Sequence, residues 1–456
     1  MDAGPTVAHG TAARGKIKFD RLVAYSTLQL PLAMAALPVV LNVSHFYGEV
    51  LKLSLQIMGP IFIITRVVDA IQDPVIGLLS DRFTRYGTRG RLAFAGLMTP
   101  LLAGGFYMLF DPPDAWFGNQ TLMAVWLTLA LLLVHLGYSG VSISYHAHGA
   151  ELTDDYNERT KVTVGREVFG LLGFTVAVAL PVWLTAKLGE SNGYMMLGLL
   201  FLPIVILFST PTFLWAGPSV HPRVVHGERN AFIAFFAPLK NRLFRRLLLV
   251  FIVNGAALGV AVTVMLFYVE HVLKGGKTQA GIILLTYFVS GAASVPMWLM
   301  LSRRTSKATA WFVGMIITIF AMALAFFVGP GDFYWFVAIS VVTGMGIGAD
   351  YGLPPSILAD VINSQEGGDT KGKTGTYFGL WALSTKLATA LGAAGSLPVA
   401  AFLGFNPANN QYSTTALMIV YIAMPVMIKV VAGLLIWFIR IEAERGSVRD
   451  EMMGAR

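Results

Sequence analysis

The sequence predicts an all-α membrane protein of twelve transmembrane helices in two six-helix bundles, with both termini cytoplasmic. Three observations predict it. Of 456 residues, 55% are hydrophobic and only 13% are charged, and the mean hydropathy of +0.67 lies outside the range of ordinary globular chains. Apolar runs long enough to cross about 30 Å of hydrocarbon as helices recur along the whole length. Lys and Arg are divided unevenly among the segments between those runs, which is the bias that orients membrane helices.

Taken in order, span 1 is placed near 22–47, around "LPLAMAALPVVL", and span 2 near 54–80, where "RVVDAIQDPVIG" interrupts the apolar pattern. Span 3 is placed at 92–110, and span 4 at 121–147, ending in "SISYHAH". Span 5 at 162–186 holds Arg166, and span 6 covers 194–216. Span 7 covers 247–270, span 8 at 279–302 contains Pro296, and span 9 covers 308–329. Span 10 at 333–358 contains "GIGADYGLPP", span 11 at 374–403 holds Lys386, and span 12 at 414–440 holds Lys429. Proline and glycine interrupt several spans, as membrane helices allow.

Of the 33 Lys and Arg, four (Arg66, Arg166, Lys386 and Lys429) fall within spans. Four more (Lys52, Lys187, Lys274 and Lys277) fall on one side, which leaves 25 on the side that holds both termini. That side is therefore expected to be cytoplasmic, and the net charge of +8 needs no nucleic-acid partner. The first 21 residues are polar and basic without an apolar core and small-residue cleavage site, so no signal peptide is expected. Cysteine is absent, which excludes disulfides and thiolate metal ligands.

The connection 217–246, with "HPRVVHGERN" and "LKNRLFRR", divides the chain into two sets of six spans. The expected organisation is a tail over 1–21, a bundle over 22–216, a cytoplasmic loop over 217–246, a bundle over 247–440 and a tail over 441–456. Ser80 and Arg82 follow Pro74 at the same offsets at which Ser302 and Arg304 follow Pro296. Such duplication around a central site is a plan of secondary transporters.

A charged side chain at mid-bilayer costs roughly 2.5–3.5 kcal/mol on insertion scales. Arg66, Asp69 and Asp73 are spaced i, i+3, i+7 and share one helical face. Two carboxylates one turn apart repel, and Arg66 fully neutralises only one, so the remaining charge invites a cation. Pro74 lacks an N–H and frees the carbonyl of Ala70. Oxygen donors of this kind suit Na⁺, with a shared proton as the alternative. A structural salt-bridge cluster is the bland reading.

Lys386 sits ~18 Å along span 11 from its end at 374, too deep to reach the interface easily. It is expected to meet a span 2 acid or an anionic substrate. Asp350 either supplies another functional acid or takes a structural partner. His146 and His148 either move protons or make packing hydrogen bonds. Tyr145, Tyr377 and Trp381 either offer ring platforms to a substrate or pack between helices. Lys429 is deep and unexplained. Nineteen methionines show no repeated face that would bind copper. No phosphate loop, zinc motif or nucleophile–base pair appears, so no enzyme and no cofactor is expected.

The stretch "GLLSDRFTRYGTRGR" resembles the signature of the major facilitator superfamily, through Gly77, Asp81, Arg82, Arg85, Arg89 and Arg91. The resemblance implies a close helix contact at Gly77 and a gating latch made by the acid with the arginines, against the alternative of a plain positive loop. "DAIQDP" resembles helix 2 of the glycoside-pentoside-hexuronide:cation symporters. "AELTDDYNERTK" (150–161), Arg166, "LADVIN" (358–363) and Lys386 extend that resemblance over nearly the whole chain. It implies Asp69 and Asp73 as cation ligands and Arg166, Arg66 and Lys386 as charge partners. The chain departs from the family at Ser142, which stands where a third cation-site acid is expected, and near Ala33, where a sugar-binding acid is expected. Ser142 is then a hydroxyl ligand at best.

The expected activity is cation-coupled (Na⁺ or H⁺) transport of a small polar organic solute, a glycoside or an organic anion, by a monomer in an inner membrane of a bacterium. A lysolipid carrier, a proton-driven exporter and a non-transporting sensor are the alternatives. Membrane lipids and the solute are the expected partners.

Overall fold

A computed structural model of the chain describes residues 17–153, 155–219, 235–363, 373–406 and 411–439. The tails 1–16 and 440–456, and the "HPRVVHGERN" part of the central loop, lie outside the described residues.

Twelve helical segments organise the description. They are α1 (Phe19–Val50), α2 (Leu55–Phe83), α3 (Gly90–Phe110), α4 (Gln120–Ala150), α5 (Tyr156–Leu188) and α6 (Glu190–Trp215), then α7 (Arg242–His271), α8 (Lys277–Arg304), α9 (Lys307–Leu324), α10 (Phe333–Asn363), α11 (Thr374–Phe402) and α12 (Thr414–Phe438). Among the described residues, ten helices are long and apolar enough to cross a membrane; α2 and α11 are not among the ten, although each has 29 residues. Their sequences explain this: α2 carries Arg66, Asp69 and Asp73, and α11 carries Lys386 among many Ser, Thr and Gly.

α5 and α7 begin more than a turn before the expected spans, because polar caps rather than hydropathy start them. Asn119 accepts from the N–H groups of Thr121 and Leu122 at the start of α4, Asp155 from Glu158 N at the start of α5, and Asn241 from Leu243 N and Phe244 N at the start of α7. Each satisfies backbone donors that the first turn leaves open. α1 is broken around Pro38 and Asn42 and ends in a π-helical turn, Phe46–Val50. The one strand pairing among the described residues is a two-residue ladder, Phe405–Asn406 with Gln411–Tyr412, between α11 and α12.

One buried apolar cluster draws only on residues 25–216, including Tyr25, Phe46, Phe106 and Phe201. A second draws only on 260–422, including Tyr268 and Phe336. Two further clusters contain residues from both stretches. One joins Ile76, Phe94 and Ile143 to Trp298, Trp311 and Trp381, and the other joins Val164 and Leu171 to Phe288 and Ile347. The helix pairs that bridge the stretches include α2 and α4 with α11, and α5 with α8 and α10. Small residues let some helices approach closely. A Cβ on Gly137 of α4 would lie 2.2 Å from Leu102 N of α3.

The internal echo has a backbone counterpart. Lys52, just before α2, and Lys274, just before α8, are the non-glycine residues with positive φ among the described residues, at 57° and 56°. Each stands the same distance ahead of its proline, Pro74 or Pro296.

Candidate functional site

α2 buries one face, with Thr65, Asp69, Asp73, Ile76 and Ser80 each less than a tenth exposed. The spacing of four, four, three and four follows the helical period. Lys386 of α11 reaches this face. Its ammonium lies 2.7 Å from Asp69 Oδ1 and 2.7 Å from Asp73 Oδ2, so one cation bridges both carboxylates. Its further hydrogen bonds go to the Asp69 carbonyl and to Ser139 Oγ, both at 3.3 Å. Ser139 Oγ donates to Asp69 Oδ1 at 3.4 Å, and Gln72 Nε2 donates to the same oxygen at 3.1 Å. Asp73 Oδ1 is buried and accepts no hydrogen bond. Close packing makes the arrangement possible, since a Cβ on Gly379 of α11 would sit 2.9 Å from the Asp73 carbonyl.

Three expectations about this cluster are corrected by the geometry. Arg66 does not neutralise an aspartate: it is exposed and makes no ion pair among the described residues. It stands about 100° around the helix from Thr65, at the edge of the buried face, and its long side chain leads its charge outward. Ser142 does not reach the acids; its hydroxyl donates to the Ser139 carbonyl at 3.5 Å, and Ser139, one turn earlier, is the hydroxyl beside them. The carbonyl that meets the ammonium is that of Asp69, not Ala70.

Arg166 is buried and pairs with its neighbour Glu167, whose Oε1 accepts from Nη2 at 2.6 Å and from Nε at 2.9 Å. Sequence reasoning missed Glu167, although an acid adjacent to a buried arginine was the available signal. Around this pair, His146 Nε2 and Gln29 Oε1 are 3.1 Å apart. Tyr145 OH donates to the Tyr25 carbonyl at 2.7 Å while Tyr25 OH donates to that of Tyr145 at 3.0 Å, so these hydroxyls tie α1 to α4. Of the two readings of the rings, the packing one describes the contacts of Tyr145, Tyr377 and Trp381. Tyr377 packs edge-on against Phe244 with its hydroxyl 3.3 Å from Asn241 Nδ2, and Trp381 stacks on Phe251 at 3.8 Å.

Asp350 takes structural partners away from the acid pair. Its Oδ2 meets Lys429 Nζ at 2.8 Å, and its Oδ1 accepts from Trp311 Nε1 at 2.8 Å and Asn254 Nδ2 at 3.0 Å. Lys429 also donates to Asn254 Oδ1 at 2.9 Å, which accounts for both deep charges at once. His148 Nε2 lies 3.1 Å from the Gly217 carbonyl.

At the far end of α2 the expected latch acid, Asp81, caps α11. Its oxygens accept from Gly375 N at 2.7 Å, Thr376 N at 2.9 Å and Thr376 Oγ1 at 2.6 Å. A Cβ on Gly77 would lie 2.6 Å from the Gly375 carbonyl, so the helices touch backbone to backbone there. The arginine of the latch is Arg91, 2.6 Å from Asp81 and 2.8 Å from Glu151. Arg82 and Arg85 are exposed, and Arg85 bonds to Tyr86 instead. Burial pushes the Glu151 carboxyl up, but the charge and hydrogen bonds of Arg91 outweigh it and hold Glu151 below the usual range. Beside this latch, Asp360 of α10 meets Lys307 at 2.5 Å and Arg159 of α5 at 3.2 Å. Ser356 Oγ donates to Thr160 Oγ1 at 3.4 Å, and Asn363 Nδ2 donates to the Ala150 carbonyl at 3.2 Å. Among the described residues, the polar contacts that link α1–α6 to α7–α12 run from Lys386 to this latch end.

Residues 23–443 match the family described as MFS/sugar transport protein. The chain is 22% identical to an uncharacterised symporter of Synechocystis over 83% of this chain and 84% of that one. It is 25% identical to the inner membrane symporter YicJ of Escherichia coli over 84% and 82%, and 21% identical to an isoprimeverose transporter of Lactiplantibacillus pentosus over 84% and 80%. Among solved structures, a bacterial homologue of the iron transporter ferroportin in its outward-facing state aligns with a TM-score of 0.65 at 14% identity, covering 92% of this chain and 99% of that one. The major facilitator transporter FucP in its outward conformation aligns at 0.62 and 14%, with the same coverage. The chain belongs to the MFS/sugar transport protein family, among the glycoside-pentoside-hexuronide:cation symporters of the major facilitator superfamily, and is a multi-pass secondary transporter.

Proposed function

We propose that this transporter couples the inward movement of one monovalent cation, Na⁺ or a proton, to that of a small neutral polar solute of the glycoside class. The observation that carries this reading is the charge of the acid pair. Asp69, Asp73 and Lys386 together bear one net negative charge in a buried place, and one carboxylate oxygen has no partner. One arriving cation cancels that charge. It competes with the Lys386 ammonium for the carboxylates, and the lysine that it frees becomes a hydrogen-bond donor for cargo. The ion thereby raises affinity for the solute, and coupling is that difference between states.

A neutral solute is favoured over an anion because the buried cations are already spoken for: Arg166 by Glu167 and Lys429 by Asp350. The similarity to an isoprimeverose transporter agrees with a sugar-like cargo.

In this reading all twelve helices cross an inner membrane, since mutual compensation of Asp69, Asp73 and Lys386 lowers the cost of placing α2 and α11 there. The bundles are 22–216 and 247–440, and the latch end is cytoplasmic with both termini. Polar links gathered at that end correspond to a carrier closed to the cytoplasm, the state of its outward-facing structural neighbours.

The test has two parts. Thermal shifts of the purified protein against sugars, organic anions and lysolipids, each with and without Na⁺ and at two pH values, identify cargo and ion. Uptake of that cargo into proteoliposomes is then compared with Asp73→Asn, which leaves a one-to-one Asp69–Lys386 pair and a folded protein. Accumulation against a gradient is expected to vanish in the variant. If the variant accumulates cargo like the parent, the acid pair does not carry the ion.

A further inference from the structure

His135 lies on α4, one turn before Ser139, on the side away from the latch. His135, Ser139, Ser142 and His146 follow one another at spacings of four, three and four along one face. The imidazole is 7% exposed, and its one hydrogen-bond neighbour is the backbone of Thr65 on α2, so at most one ring nitrogen is engaged. Buried polar atoms in membrane proteins are nearly always paired, so an imidazole with a ring nitrogen left over calls for a ligand. Its electrostatic neighbours are Asp69 and Arg66 of α2 and Lys386 of α11, with Asp73 one turn further along α2. α3, packed on α4, carries one charged residue, Arg91, in its first turn. An ion approaching the acid pair from the end opposite the latch therefore passes the level of His135 first.

We propose that the coupling ion is a proton and that His135 is the group that receives it and passes it to the Asp69–Asp73 pair. This rests on the reading of those acids as the cation-carrying pair. A neutral imidazole has one lone pair and one N–H and gains or loses a proton near neutral pH. Na⁺ is a hard cation better served by oxygen donors, so a nitrogen ligand at the entrance suits a proton. The proton from solvent binds the free ring nitrogen and makes an imidazolium. A proton then leaves the ring for a carboxylate oxygen, the ring returns to neutral, and the acid becomes a neutral carboxyl. Lys386 is left with one carboxylate in place of two. No other reactant is required.

The proposal can be tested without knowing the cargo, by recording charge displacement from proteoliposomes on a solid-supported membrane. The probes are a pH jump across the imidazole range, from about 8 to about 5.5, and a NaCl jump at fixed pH. The parent protein should give a transient current on the pH jump and none on the NaCl jump. Asp73→Asn should abolish it. His135→Gln and His135→Asn, which keep a polar side chain without a titrating nitrogen, should each lower the peak by at least about tenfold. A parent current evoked by Na⁺ and not by protons would overturn the proposal while sparing the acid pair, and it needs no variant to fold. An undiminished current in both His135 variants, with loss in Asp73→Asn, would overturn it likewise. A full current in Asp73→Asn would sink the acid-pair reading and the proposal with it.

Discussion

At the scale of single residues, Lys386 holds the candidate site together. Removing it would leave two carboxylates buried side by side, and breaking a buried pair by deleting one partner costs about 3 kcal/mol or more. Lys386→Gln is expected to lower stability by about that amount at neutral pH, and the double variant Asp73→Asn/Lys386→Gln to recover part of it, because the second change removes one of the two unpaired carboxylates and their mutual repulsion. Thermal or denaturant unfolding in detergent checks this; equal losses in the single and double variants would contradict it. The sequence displayed Asp69, Asp73 and Lys386 as charges too deep for lipid, since hydropathy and helical period locate depth and face. Lys386, by its depth, was also expected to meet a span 2 acid or an anionic substrate, and it meets both acids. Arg66, three residues from Asp69, was the nearer candidate along the chain, yet a lysine from another helix fills that place. Partners brought together only by tertiary packing leave no trace in local spacing, and for that reason Ser139 and His135 stayed unnoticed.

At the scale of elements, the contact of α2 with α11 has two parts. Glycines allow backbone contact, and Asp81 supplies a charged cap to the first turn of α11. Charge-assisted hydrogen bonds of this kind are each worth roughly 1.5–3 kcal/mol. Asp81→Asn is therefore expected to speed amide hydrogen exchange at Gly375 and Thr376 by about tenfold or more, read by mass spectrometry, with little change in α3–α4 peptides. Unchanged exchange at α11 would show that Asp81 does not hold it. Glu151, depressed below the ordinary Glu range, supports the latch above that range and loses its contribution only as pH falls through the depressed value. The Glu151 contribution to the latch is therefore kept near neutral pH. Helix positions were legible because apolar runs mark them; several helix ends were not, since Asp155 and Asn241 start helices more than a turn earlier, in polar sequence.

At the scale of the whole molecule, the repeat read from Pro74 and Pro296 extends into backbone conformation at Lys52 and Lys274. The halves differ where the chemistry lies, since Gly291 and Val295 stand at the positions in α8 that Asp69 and Asp73 hold in α2. The charge bias predicts that both termini face the cytoplasm. A green fluorescent protein fused after Arg456 should fluoresce and a periplasmic phosphatase fused there should be inactive; the reverse pair of results would invert the topology.

The seam where Gly77 meets Gly375 leaves no space for a water molecule, so it cannot soften gradually from within. It can part only by admitting solvent from its rim, and the rate of turnover should then depend on how readily that rim becomes wet, slowing as osmolytes draw water away.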